Sequence, residues 1–311
     1  MKNLYRYLFP FLIPLAILLS SCHSNHEKHE SAEHAGSHSK SESKFRLEEE
    51  IKATVDSILT AAGNYDIETL ASMSFEKANL GVSSYRDGAW HSSVRTMEEY
   101  FESIRQRTLI PYCEIPYEYT IHISEGQLAV AIADNILYRY GIPQTKEINY
   151  FTLIKENGSW KIVNVAFTIV PVPLEERHFD TLVFARSYAQ SWSSKKPEFV
   201  ASYFSEDGSL QVNEGLPARG RAEIASIAES FMTIFPDINV SFDKLVTKPE
   251  GIEFHWTLSG TDSDPAGKGH KVKISGFELW TMSEDGRIKK SEGKFSAEEY
   301  MRQLEFGIDN K

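Results

Sequence analysis

Apolar residues recur at helical spacing twice, each time at the head of a stretch that then turns strand-like. Leu47, Ile51, Val55, Ile58 and Leu59 share one helical face, and Gly63-Asn64 ends the run. Leu182, Phe184, Ala185, Tyr188 and Trp192 repeat the pattern before Ser193-Ser194. Short second helices are predicted at 67–72 and 197–202, and third helices at 96–107 and 221–235. Beyond these, β-branched and aromatic residues dominate 117–123, 127–140 and 147–155, and again 240–245, 252–260 and 272–282. The turns Glu156-Asn157-Gly158 and Glu284-Asp285-Gly286 each lead into a last strand, at 160–167 and 287–295. Matching elements recur at an offset of about 130 residues, the mark of a duplication. The pattern predicts two tandem α+β domains, 45–172 and 173–311. Each has three N-terminal helices packed on a strongly curved antiparallel sheet, curved because long one-face-apolar strands twist. Val170-Pro171-Val172-Pro173 reads as a stiff, extended hinge between them.

Ahead of the first helix the pattern breaks. Lys2 and Arg6 precede an apolar run over 8–19, too short for a transmembrane helix of ~20 residues. Small residues follow, as in a cleavable secretory signal. Leu19-Ser20-Ser21-Cys22 resembles the lipobox of bacterial lipoproteins. That resemblance implies a signal peptide over 1–21, lipidation at Cys22 and a protein held to the cell envelope by its lipid. The residue after Cys22 is His23, not the aspartate that retains some lipoproteins at the inner membrane, so outer-membrane placement is expected. Residues 22–44 are rich in Ser, Glu, Lys and His, and this composition predicts a flexible tether. His23, His26, His29, His34 and His38 lie within it, and such tracts bind divalent metals weakly.

Composition narrows the function. The chain has 311 residues, 41% hydrophobic and 25% charged, with a net charge of −11. That hydrophobic fraction supports true cores. The negative charge excludes a nucleic-acid footprint and disfavours adhesion to anionic lipid. With Cys22 lipidated, Cys113 has no disulfide partner, and with no basic neighbour in sequence it reads as a buried structural cysteine.

The order of elements, with Asn157-Gly158-Ser159-Trp160-Lys161-Ile162, resembles the nuclear transport factor 2-like superfamily. The second half is similar to its SnoaL-like polyketide cyclase branch. The residues carrying this are Tyr188-Ala189-Gln190-Ser191-Trp192, Phe204-Ser205-Glu206-Asp207-Gly208, Gly220-Arg221-Ala222-Glu223-Ile224, Phe235-Pro236-Asp237 and 255–261. The resemblance implies a cone-shaped scaffold whose cavity hosts cyclases, isomerases, hydrolases or non-catalytic binding modules. It also implies a sheet face able to pair with a second copy, or with the other half of the chain.

Acid/base chemistry in such a cavity needs carboxylate or imidazole groups facing inward. His255 alternates with Phe254 and Trp256, and Glu278 shares a face with Ile274 and Trp280, so it is a carboxylate among apolar neighbours. These two, with Glu292, are the candidate catalytic residues. Tyr188, Trp192, Tyr203, Trp280 and Lys294 are the candidate ligand contacts. The family's Gly-Thr-His is Gly260-Thr261-Asp262 here, with Asp262 opening a loop expected to be exposed. The last-strand aspartate of the cyclases falls near Glu292-Gly293-Lys294-Phe295. Both departures weaken the cyclase expectation. In the first half, His91 is read as a loop residue, and His122, Asp134 and Arg139 are read as unpaired along strands. No cofactor fingerprint is present: no glycine-rich phosphate loop, nucleophile elbow or HExxH. The leading expectation is therefore binding of a small, largely apolar molecule. The alternatives are isomerase, cyclase or hydrolase activity in the C-terminal half, or a protein-interaction module.

Overall fold

The computed structural model describes residues 30–106, 109–265 and 267–309. Cys22, His23, His26 and His29 lie outside the described residues, and His34 and His38 fall within the first helix. Residues 47–311 form one compact unit containing both sheets.

The first domain begins with α1 (Glu30–Gly63), which starts well before the tether ends in sequence. Extending a helix already formed fixes one residue per added hydrogen bond, so residues 30–44 are helical where composition predicted a flexible chain. α2 (Ile67–Ser72) follows, with Asp66 as its N-cap. Next come β1 (Ser74–Arg86), β2 (Ala89–Thr96) and α3 (Met97–Arg105). α3 starts at a capping box in which Thr96 and Glu99 exchange hydrogen bonds. β3 (Cys113–Ser124), β4 (Leu128–Arg139), β5 (Ile142–Glu156) and β6 (Ser159–Pro171) complete the sheet in the order β2-β1-β6-β5-β4-β3.

The second domain repeats this. α4 (Thr181–Trp192), α5 (Pro197–Ala201), β7 (Phe204–Val212), β8 (Ala218–Arg219) and α6 (Gly220–Ile234) precede β9 (Asn239–Lys248), β10 (Gly251–Thr261), β11 (Lys271–Met282) and β12 (Ile288–Phe295). A closing helix, α7 (Ala297–Phe306), was not foreseen. The strand order β8-β7-β12-β11-β10-β9 mirrors the first sheet.

Two features refine the predicted architecture. A hairpin separates the second helix from the third, and each sheet contains one parallel pair, β1 with β6 and β7 with β12. His91 is therefore a strand residue opposite Ser84, not a loop residue. The hairpin escaped the hydrophobic pattern because β2 is exposed along nearly its whole length and buries no apolar row. Its turn, Asp87-Gly88, has φ of 53° and 77°, the left-handed pair that a two-residue hairpin turn needs.

The two halves meet through helices and turns. Gln190 Nε2 donates to Asn64 Oδ1 at 3.0 Å, and Lys196 Nζ donates to the Asn64 carbonyl at 3.0 Å. Phe199 packs into a cluster with Tyr65 and Ile104 of the first domain. The Arg287 guanidinium lies 3.2 Å above the Tyr140 ring.

Candidate functional site

The residues singled out in the second half do not converge. Phe254 pairs with Glu278 across β10 and β11, so both face inward, and His255 faces outward. On that outer face His255 Nε2 lies 3.0 Å from Glu253 Oε2, and Lys248 also pairs with Glu253. Glu292 pairs with Lys290, and Lys294 pairs with Glu214. Glu278 is buried and fully engaged: it accepts from Ser291 Oγ at 2.6 Å, Trp280 Nε1 at 3.0 Å and Tyr188 Oη at 3.1 Å. Burial raises its pKa, and these three donors hold part of that rise back. Tyr188, Tyr203 and Trp280 are core, with Trp280 stacked on Phe254 at 4.6 Å. What remains of the cavity is about 50 Å³, bounded among others by Trp192, Phe231, Trp256, Glu278 and Phe295. That space holds a few waters at most. Asp262 is buried rather than exposed, because its carboxylate accepts from the Asp264 amide and closes the loop on itself.

The first domain is built differently. Its concave sheet face encloses a cavity of about 550 Å³. Strand register sorts the lining into rows. The first row has Arg95, Leu80, Val165, Phe151 and Ala131 opposite one another across β2, β1, β6, β5 and β4, and is apolar except for Arg95 at its β2 edge. The next row runs Ser93, Val82, Phe167, Asn149 and Ala133, and the one after it His91, Ser84, Ile169, Glu147 and Asn135. Polarity thus rises steadily toward the exposed end of the β1–β2 hairpin.

Two carboxyls share the polar end. Glu114 Oε2 accepts from Asn149 Nδ2 at 2.9 Å and from Asn135 Nδ2 at 3.2 Å. Glu147 accepts from Thr145 Oγ1 at 2.6 Å. Burial, then the neighbouring Glu147, push the Glu114 carboxyl up to about 8, and burial raises Glu147 as well. Glu114 keeps some accessible surface, but that surface faces the cavity. Tyr112, also in the wall, is held in its phenol form by burial. Two guanidinium groups line the same space: Arg139 Nε and Arg95 Nε are both buried and without a hydrogen-bond partner. Arg95 also lies 5.1 Å from the Tyr100 ring and 3.5 Å from Ser103 Oγ. The arrangement is a roomy amphipathic pocket with a proton-holding acid pair and unpaired cations.

Of these residues, sequence reasoning noted Arg139 and His91 but missed Glu114, Glu147, Asn135 and Asn149. The signal was available: Glu147 and Asn149 continue the inward face of Phe151 and Leu153 at strand period. Cys113 is buried and unbonded, and burial takes its thiol up to about 12. Among the described residues, no three His, Cys, Asp or Glu side chains are placed to hold a metal, and no helix is long and apolar enough to cross a membrane.

Comparison with known families agrees with this division. Residues 182–304 match the family model described as SnoaL-like polyketide cyclase, and residues 46–168 match one described as "Putative lumazine-binding". Among solved structures, the chain is similar to a hypothetical protein with a ketosteroid isomerase-like fold from Catenulispora acidiphila, in complex with trimethylamine. Identity there is 14%, over 38% of this chain and 88% of that one, with a TM-score of 0.34. A phenazine biosynthesis-related protein from Pseudomonas aeruginosa is 17% identical over 42% of this chain and 89% of that one, with a TM-score of 0.32. No curated protein matches the chain.

Proposed function

We propose that this chain, which carries two tandem nuclear transport factor 2-like domains, binds a small molecule in the cavity of its N-terminal domain and uses its C-terminal domain as a scaffold. The observation that carries the reading is the contrast between the interiors of the two curved sheets: about 550 Å³ within the first against about 50 Å³ within the second, whose larger pocket lies outside its cone, between α6, the 262–268 loop and α7. Ligand pockets fall near 300–1,000 Å³ and combine apolar walls with a few convergent polar groups, as the first cavity does. The lumazine-binding description of the model matched by 46–168 supports a ligand role for this half. The ligand's body is apolar, set against Leu80, Phe151, Ile162 and Val165. In the second domain Glu278 spends its hydrogen-bonding capacity on core partners and His255 faces the other way, which argues against cyclase or isomerase chemistry there.

Native mass spectrometry of the purified protein tests this. A retained small-molecule adduct is expected, and Val82→Trp, which fills the cavity from β1, should lose it while the fold persists. An adduct that survives Val82→Trp, or none in the wild type, overturns the reading.

We further propose that the protein is held at the bacterial cell envelope through a lipid on Cys22. Its support is the apolar run and Leu19-Ser20-Ser21-Cys22. Cys22→Ser should move the protein from the membrane fraction to the soluble one; unchanged membrane association would refute the anchor.

A further inference from the structure

The cavity of the first domain holds cations without counter-ions. Arg95 and Arg139 both line it, and each has a buried Nε with no acceptor. Among the described residues neither pairs with a carboxylate. Glu114 is turned to Asn135 and Asn149, and Glu147 to Thr145. A third arginine, Arg86, lines the cavity nearer its exposed end, with His91. An unpaired guanidinium in a concave, partly apolar site lacks much of the hydration it has in bulk water. Natural interiors rarely leave such a donor unmatched unless something else completes it. The complement to a guanidinium is a planar oxyanion, bound through paired, charge-assisted hydrogen bonds.

The geometry points to an anionic ligand: a small amphiphile whose apolar body lies against Leu80, Phe151 and Val165 and whose acidic group is met by an unmatched guanidinium of the cavity wall, Arg95 or Arg139. This rests on the cavity being the binding site, as argued above. The two glutamic acids support it. Burial raises both carboxyls, Glu114 to about 8, and so favours their uncharged forms, which leaves the arginines as the charge of the pocket inside a chain of net charge −11. A cationic ligand would instead meet guanidinium groups and two carboxyls whose ionised form burial disfavours. The ligand class follows from this local imbalance and is opposite to what the overall charge suggests.

Three isosteric probes separate the possibilities: naphthoate, naphthamide and naphthylmethylammonium, titrated calorimetrically into the full-length protein near pH 7. Naphthoate should bind at least about tenfold more tightly than naphthamide, the margin expected for hydrogen bonds to a charged group. Arg95→Gln or Arg139→Gln should weaken naphthoate, and the double variant should bring it down to the amide, while naphthamide binding changes little. Gln is polar and fits both sites, so the fold is preserved; unchanged naphthamide binding shows that the cavity is intact. If naphthamide matches naphthoate, or the ammonium binds more tightly than either, the anion inference fails and the cavity reading stands. If none of the three binds, or all bind Val82→Trp as they bind the wild type, the cavity reading fails and takes this inference with it.

Discussion

Glu114 is the residue on which most of the first domain's electrostatics turns. Its carboxyl sits among Glu147, Tyr112 and two asparagines, and burial raises its pKa from an ordinary 4.5 to about 8. In the unfolded chain the same group ionises near its ordinary value. The folded state therefore binds more protons between those two values, and stability must fall as pH rises through that window. Below it the full stability is present; above it the loss is complete. The slope is at most about 1.4 kcal/mol per pH unit for one group. Glu114→Gln keeps the shape and the Asn contacts and removes the proton. Chemical denaturation between pH 5 and pH 9 should show a declining wild-type stability and a flatter profile for Glu114→Gln. A wild-type stability that is level across that range would contradict the buried, proton-holding pair. Glu278 shows how similar surroundings can serve a different end: three donors and an aromatic cage make it part of the core.

At the scale of elements, the turns carry the register. Asp87-Gly88, Tyr140-Gly141 and Asn157-Gly158 all have positive φ at both positions and join neighbouring strands by two residues each. Gly141 does more than turn. At φ 75°, a Cβ there would come within 2.7 Å of the Asp180 carbonyl and 2.9 Å of Phe184 Cβ, because the β4–β5 turn abuts the start of α4. The Asp180 amide in fact donates to the Gly141 carbonyl at 2.8 Å. Gly141→Ala combines left-handed backbone with a backbone clash and should cost roughly 1–3 kcal/mol. Urea denaturation measures this, and a neutral substitution would mean that the turn and α4 are not in contact. The strands themselves were legible wherever apolar and polar residues alternate, as along β5 and β10. They were illegible in β2, whose polar residues either line the cavity or meet solvent. Periodicity detects a buried apolar row, and β2 has none.

For the molecule as a whole, one duplicated fold has taken two courses. The second domain fills its cone with Tyr188, Trp256, Phe254 and Trp280, and the first leaves its cone open. The filled domain supports the open one. Phe199 is 1% exposed and packs on Tyr65, whose ring also meets Tyr112; both tyrosines line the cavity. Phe199→Ala should destabilise the protein by about 3–5 kcal/mol. It should also lower adduct retention in native mass spectra, although residue 199 does not line the cavity. Full retention in that variant would mean that the halves are energetically independent.

The residues alone determined the duplication, the α+β class, the helix faces, the Asn157-Gly158 turn and the burial of Cys113, because each follows from local periodicity, turn chemistry or composition. They also marked Glu278 as a carboxylate in an apolar setting. Only the tertiary structure decided which cone is open, since cavity volume depends on how side chains from six strands and three helices meet. It alone brought Glu114 next to Glu147, thirty-three positions along the chain, because strand register sets that distance. It alone left the Nε atoms of Arg95 and Arg139 without an acceptor. An unpaired buried cation is a property of everything around it, and no single stretch of sequence contains that surrounding.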